Sequence, residues 1–125
     1  WFFQGDAPAP EGERGLIVRH ENRRRLNFPG TGVSEELLSP GLSGAFEMIL
    51  GRYKPGAESG DAKYARFGEE GGVVLEGELE LILDTTTHRL RAGDAFTFPL
   101  ATPHKSRNPT DRETVVLWVI SPPSY

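Results

Sequence analysis

The sequence has no cysteine among its 125 residues and no long hydrophobic run. Without cysteine the chain cannot form a disulfide scaffold, a thiolate metal site or a cysteine nucleophile. Its apolar stretches fall far short of the roughly 20 residues that a membrane-spanning helix needs. We therefore expect a cytoplasmic protein with no membrane partner.

Positive charge is also scarce, because 14 lysines and arginines stand against 18 aspartates and glutamates, for a formal net charge of −4. A domain that binds nucleic acid gains affinity by neutralising phosphates, and this balance has the wrong sign. Direct binding of DNA or RNA by these residues is disfavoured. The only basic run, residues 23–25, is expected to be a solvated strand face or a contact with another domain.

Helical periodicity is missing too, because 15 glycines and 10 prolines interrupt most candidate segments. Short apolar stretches alternate instead with turn residues, which is the pattern of β-strands. The predicted strands are 15–19, 24–28, 33–38, 46–53, 72–76, 78–83, 88–91, 95–98 and 113–120. This even spacing predicts a single all-β domain, either a sandwich, a jelly roll or a barrel.

In the segment 78–83 (ELELIL) every second residue is leucine, and the residues between are two glutamates and an isoleucine. In a strand its leucines share one face and its glutamates the other, so the leucines are predicted core residues and the glutamates ordinary surface residues. Gly77 and Gly93 lie on either side of this region. Both are expected to let neighbouring strands reverse tightly.

A spaced pattern begins at Gly93, where Pro99 follows after five residues, His104 after four more and Asn108 after another three. With these residues the chain resembles the second conserved motif of the cupin superfamily, although Ala101 stands where that motif has its second glycine. The resemblance implies the cupin β-barrel, a double-stranded β-helix or jelly roll.

The first cupin motif is matched in part. Glu70 and Gly77 keep its six-residue spacing, whereas its two histidine positions hold Tyr64 and Arg66. Metal-using cupins bind a divalent ion through three histidines and one glutamate, and of that set only Glu70 and His104 remain. Two ligands are too few to hold a transition metal firmly, and Arg66 would place a fixed cation at the ion's position. We expect no metal cofactor; if a metal binds, Glu70 and His104 are its ligands.

A narrower resemblance links the chain to the C-terminal sensor domain of XRE-type helix-turn-helix transcriptional regulators, a family with polyamine-responsive members. The similar segments are 53–56 (YKPG), 68–70 (GEE), 74–81 (VLEGELEL) and 120–123 (ISPP). In that family an aromatic-containing segment and a Pro/Gly linker join the DNA-binding domain to the sensor, and the start of this chain, Trp1-Phe2-Phe3, fits the junction. The resemblance implies that residues 1–14 are the end of a linker and that residues 15–125 are the cupin barrel. It also implies that DNA is bound only through an N-terminal domain absent from this chain.

The resemblance further implies an effector pocket at the mouth of the barrel. Its predicted ligand-binding residues are Tyr64, Arg66, Glu70, His104 and Asn108. The guanidinium of Arg66 can pair with Glu70 or with an anionic ligand, whereas Glu70 with a second acid can receive an ammonium group, so the sign of the ligand's charge stays open. Each residue also has a structural alternative: an ion pair between Arg66 and Glu70, a strand cap for His104, a turn for Asn108, and strand packing for Tyr64.

Together these patterns predict the effector-sensing and dimerisation domain of a transcriptional regulator, which binds a small polar metabolite and forms a homodimer. One alternative is a cupin enzyme, either a metal-dependent dioxygenase or an isomerase or epimerase that uses Glu70 and His104 for acid and base catalysis. Another is a purely structural dimerisation module that pairs through edge strands such as 33–38.

Overall fold

The computed structural model describes residues 10–41, 43–60 and 67–123. These residues contain no α-helix, only single 3-10 turns at Glu11–Glu13 and His20–Asn22, and no helix among them is long and apolar enough to cross a membrane. The strands are β1 (Arg24–Phe28), β2 (Val33–Leu37), β3 (Glu47–Tyr53), β4 (Glu58–Ser59), β5 (Glu69–Glu76), β6 (Glu78–Leu83), β7 (Thr86–Arg91), β8 (Ala95–Pro99), β9 (His104–Arg107) and β10 (Thr114–Ser121). The predicted all-β class is confirmed.

The strands form two antiparallel sheets that face each other. The larger sheet has the order β1-β2-β3-β10-β5-β8, and the smaller has the order β4-β9-β6-β7. Strands that are neighbours in the sequence are often in different sheets, which is the connectivity of a jelly roll.

The hydrophobic core lies between the two sheets and follows the alternation of the strands. On β6, Leu79 and Leu81 are almost completely buried, as predicted. Glu78 and Glu80 point outwards and pair with Arg89, 2.8 Å and 3.9 Å away respectively. The leucines belong to one core cluster with residues from the inner face of the larger sheet, among them Leu37, Ile49, Val74, Val116 and Trp118. Each such aliphatic side chain contributes about 1.5–3 kcal/mol when it is fully buried.

The two glycine turns do not reverse the chain into hairpins. Gly77 joins β5 to β6, and Gly93 joins β7 to β8, but the strands of each pair belong to different sheets. At Gly77, φ is +76° and an added Cβ would lie 2.7 Å from the carbonyl oxygen of Glu113, so only glycine fits there. These turns therefore carry the chain from one sheet to the other.

The prediction of a strand at 15–19 was wrong. Gly15 has a φ of +73°, and the backbone N–H groups of Leu16 and Ile17 both donate to the carbonyl of Glu13, which makes a turn. Leu16 is 74% exposed, so its apolar side chain does not pack in the core. Of the predicted linker at 1–14, residues 1–9 lie outside the described residues and the remainder leads into this turn.

Candidate functional site

Glu70 and His104 contact each other inside the barrel. Glu70 lies on β5 of the larger sheet and His104 on β9 of the smaller, with Oε1 and Nε2 3.2 Å apart. Their side chains are only 10% and 19% exposed. The ring of Phe98, next to Glu70 in the sheet, lies 4.7 Å from the imidazole ring. The spacing of the two motifs thus brings together two of the five predicted ligand-binding residues.

The hydrogen bonds of His104 define its protonation. Its Nδ1 lies 2.8 Å from the carbonyl oxygen of Thr102, and because a carbonyl can only accept, Nδ1 carries a proton. The hydrogen bond to Glu70 raises the pKa of His104; burial opposes this rise, and the bond to Thr102 supports it. With Nδ1 as the donor to Thr102, a hydrogen bond between Nε2 and Oε1 needs one further proton shared by the pair, at a point where it can be passed to or taken from a bound molecule.

Two further carboxyl groups on the inner face of the larger sheet belong to the same environment. Glu35 lies between the buried residues Val33 and Leu37 on one face of β2, and Glu47 on β3 is 1% exposed. Burial, reinforced by the charges of Glu70 and Glu47, raises the pKa of Glu35 to about 8. Glu35 is therefore mostly protonated at neutral pH.

Sequence reasoning did not identify Glu35 or Glu47 as interior residues. The available signal is the alternation itself, because each glutamate stands two residues from an aliphatic residue that faces the core, Leu37 and Ile49 respectively. A carboxyl group at a core position is unfavourable unless it is paired or neutral, and for that reason it is a candidate functional group.

Tyr53 connects the same region to the smaller sheet. It is 2% exposed, and its hydroxyl lies 2.8 Å from Oγ of Ser106 on β9. Burial raises the pKa of Tyr53 well above its ordinary value, so the phenol stays protonated. It is thus a fixed hydrogen-bonding group in the wall of the barrel.

Asn108 is completely buried and fastens a loop. Its Nδ2 donates to the carbonyl oxygens of Tyr53, Lys54 and Arg112 at 3.0, 3.2 and 2.6 Å, and its Oδ1 accepts from the backbone N–H and hydroxyl of Thr110. These bonds occupy both ends of the amide. The structure thus shows the turn arrangement that the sequence left as the alternative to ligand binding.

Tyr64 and Arg66, the other predicted ligand-binding residues, lie outside the described residues.

The described donor set does not fit a resident metal ion. Metal sites of this kind need three or four protein ligands, and no group of three His, Asp or Glu side chains in the described ranges could hold an ion. Glu70 and His104 are in addition hydrogen-bonded to each other through the atoms that would bind the metal.

Residues 49–120 match the Cupin_2 family, described as a cupin domain. The chain belongs to the cupin family. The HTH-type transcriptional regulator PuuR of Escherichia coli (strain K12) is 35% identical to it over 102 residues, which are 81% of this chain and 54% of PuuR. The cupin domain thus spans about half the length of this relative.

A solved structure and an enzyme are also similar to this cupin domain. The Cupin_2 domain of an XRE family transcriptional regulator from Enterobacter cloacae has a TM-score of 0.68 and 26% identity, and the match covers 74% of this chain and 99% of that one. Quercetin 2,3-dioxygenase of Bacillus subtilis (strain 168) is 32% identical over 112 residues, which are 88% of this chain and 29% of the enzyme. The family therefore includes both regulators and enzymes.

Proposed function

We propose that this cupin domain is the effector-sensing and dimerisation domain of a cytoplasmic transcriptional regulator, and that it binds a small polar metabolite inside its barrel. The observation that carries the proposal is the buried pair of Glu70 and His104, in a barrel whose inner face also carries the carboxyl group of Glu35. The similarity to PuuR over 81% of the chain supports the regulatory role.

The polar interior supports a ligand rather than a purely structural barrel. Burying an ionisable group without full compensation costs free energy, and the raised pKa of Glu35 reflects that cost. A ligand that donates hydrogen bonds to Glu35 and Glu70 would reduce this free-energy cost. The three glutamates of the inner face favour a ligand that carries such donors, including an ammonium group. Tyr64 and Arg66 remain proposed lining residues, whereas Asn108 acts on the loop.

The proposed regulator binds DNA through an N-terminal helix-turn-helix domain, joined to this barrel by a linker that ends in residues 1–14. The outer face of the larger sheet supports dimer formation, because its central strands carry apolar side chains on both faces. Those on the outer face include Met48, Leu50, Val73, Leu117 and Val119. Ligand binding would favour one arrangement of the dimer and so change the spacing of the two DNA-binding units.

A thermal-shift screen of this domain tests the pocket, with diamines, amino acids and hydroxy acids as probes. A binder should raise the melting temperature, and Glu70→Gln and His104→Ala should each abolish that shift. The matched control is Glu78→Gln, which removes an outward-facing carboxylate from the neighbouring strand β6 and should leave the shift intact. If the melting temperature still rises with ligand in both pocket variants, Glu70 and His104 do not form the ligand site.

The coding sequence upstream of Trp1 tests the regulatory role. A helix-turn-helix encoded there, and a change of operator affinity when the full-length protein binds the ligand, are the expected results. Analytical ultracentrifugation of the isolated domain tests its oligomeric state, and a dimer is the expected result. An upstream region that encodes no DNA-binding domain would contradict the regulator proposal.

A second candidate function, a metal-independent isomerase or epimerase, is favoured by the shared proton of Glu70 and His104. Such an enzyme exchanges a carbon-bound hydrogen of its substrate with solvent. NMR of sugar and hydroxy-acid substrates in D2O would detect this exchange, and Glu70→Gln should stop it. Elemental analysis is the companion experiment, because one equivalent of metal that is lost in Glu70→Gln would favour a metal-dependent enzyme instead.

A further inference from the structure

A cleft of about 290 Å³ opens on the outer face of β1, β2 and β3, on the opposite side of the sheet from the barrel interior. The strand register places Asn27, Ser34 and Arg52 side by side across the three strands, and Arg25 opposite Glu36. The residues that line the cleft are His20, Arg25, Asn27, Ser34, Glu35, Glu36 and Arg52; of these, Glu35 alternates with Ser34 and Glu36 along β2, so its side chain belongs to the inner face.

Three guanidinium groups converge on one carboxylate at this cleft. Arg23, Arg25 and Arg52 lie 3.7, 3.6 and 3.5 Å from the carboxylate oxygens of Glu36, whose side chain is 12% exposed. These distances exceed those of good N–H···O hydrogen bonds, about 2.7–3.2 Å, so Glu36 attracts the arginines without using their donors fully. Arg52 has one further acidic partner, Glu113, at 3.4 Å. Three arginines thus stand against two glutamates, Glu36 and Glu113, in this cluster of ion pairs, although the chain as a whole is acidic.

Three other polar residues add hydrogen-bonding groups beside the arginines. The amide of Asn27, the hydroxyl of Ser34 and the imidazole of His20 all line the cleft. Guanidinium groups bind carboxylate and phosphate oxygens in a bidentate manner, and neutral donors beside them fix the orientation of the anion. The volume lies near the lower end of the range for small-molecule sites, about 300–1,000 Å³, so it suits a compact ligand.

We propose that this cleft binds a compact oxyanion, a phosphate or carboxylate group of a small metabolite, at a site separate from the barrel interior. Arg25 and Arg52 hold the anion, and Glu36 keeps the arginines in place while competing with the anion for them. The site does not depend on the sensor function. In a regulator it would supply a second chemical input.

Isothermal titration calorimetry of this domain at low ionic strength tests the proposal, with inorganic phosphate and succinate as separate probes. At least one probe should bind saturably, and the preferred one identifies the group recognised. The double substitution Arg25→Gln/Arg52→Gln should weaken binding at least about tenfold, because each lost charge-assisted hydrogen bond removes affinity. Arg89→Gln is the matched control: Arg89 is exposed on β7 of the other sheet, where it pairs with Glu78, and its loss should have no effect.

Glu36→Gln separates a binding role from a structural one. It removes the competing negative charge while it preserves the shape of the side chain, so the anion should bind several-fold more tightly. Circular dichroism of each variant checks that it is folded. The proposal is overturned if neither probe binds saturably, if Arg89→Gln weakens binding as much as the double variant, or if Glu36→Gln leaves the affinity unchanged or lowers it.

Discussion

Glu70 and His104 join the two sheets of the barrel directly, with 3.2 Å between Oε1 on β5 and Nε2 on β9. The contact depends on protonation, because Nδ1 already donates to Thr102 and the bond to Glu70 needs a second proton. The pKa of His104 is raised in the folded protein. The stability from this pair is therefore fully present below the pKa of an unfolded histidine, about 6.5, and is lost as the pH rises through the folded-state pKa.

Glu70→Gln should lower the pKa of His104, because the substitution removes the carboxylate that favours the imidazolium. NMR titration of the His104 ring protons measures this value. The control Glu80→Gln removes a carboxylate that faces outwards and pairs with Arg107, and it should leave the His104 titration in place. An unchanged pKa in Glu70→Gln would show that the two side chains are not coupled.

Glu35→Gln should make the domain more stable at pH 7 to 8 and reduce the dependence of its stability on pH. An unfolded glutamate ionises near its ordinary pKa of 4.5, whereas Glu35 holds its proton up to about 8 in the folded state. Between these values the folded state binds one more proton, so the free energy of unfolding falls as the pH rises, by up to about 1.4 kcal/mol per unit. Urea unfolding from pH 4.5 to 8 measures the slope. Equal slopes for Glu35→Gln and wild type would contradict the raised pKa of Glu35. The control is Glu69→Gln, which changes an exposed glutamate and should leave the slope as it is in wild type.

Gly72→Ala should destabilise the domain by at least about 2 kcal/mol, because the new methyl group has no space. A Cβ there would collide with the carbonyl oxygen of Leu117 and lie 2.8 Å from Cζ of Phe96. The strand register places Gly72 between Trp118 and Phe96, and its lack of a side chain lets these rings meet edge to face at 5.1 Å. Thermal and urea unfolding measure the loss. Gly12→Ala is the control: an added Cβ there has no neighbouring atom within 4 Å, so this variant should unfold like wild type.

Asn108→Ala should destabilise the domain by about 3 kcal/mol, because buried carbonyl groups lose their donor. The same substitution should leave the pKa of His104 unchanged, since the Asn108 amide bonds only to the loop and to backbone carbonyls. Chemical unfolding and NMR titration measure the two effects separately. Asn27→Ala, on the exposed face of β1, should change stability by less than about 0.5 kcal/mol. A changed pKa of His104 in Asn108→Ala would instead indicate that Asn108 belongs to the pocket.

Alternation predicted most of the strands, because each strand of a two-sheet barrel has one face in the core. The leucines of β6 show this most clearly. The direction taken after Gly77 and Gly93 was not predictable in the same way, since a tight turn is a local feature whereas the choice of sheet depends on distant strands. At 15–19, Leu16 and Ile17 have the apolar character of a strand, but none of the strands that the structure describes pairs with them.

For the site, the motif spacing was sufficient to bring Glu70 and His104 together. The same spacing selected Asn108, whose amide is bonded to its own loop and to the backbone at the end of β3, because spacing specifies a position in the chain and not the partners of a side chain. Glu35 and Glu47 belong to neither motif. Alternation along β2 and β3 indicates their interior position, but these strands lie outside the region that the motifs cover.

The position of β10 has a consequence for how the chain folds during synthesis. This strand pairs with β3 on one side and β5 on the other, yet it is made after both. Until it leaves the ribosome, the edges of β3 and β5 that it will cover expose unpaired backbone groups, and the larger sheet is in two parts. The hairpin of β6 and β7 does not depend on β10, because these two strands pair with each other. We therefore expect the smaller sheet to begin forming during translation, and the interior that holds Glu70 and His104 to be completed only once β10 has been made.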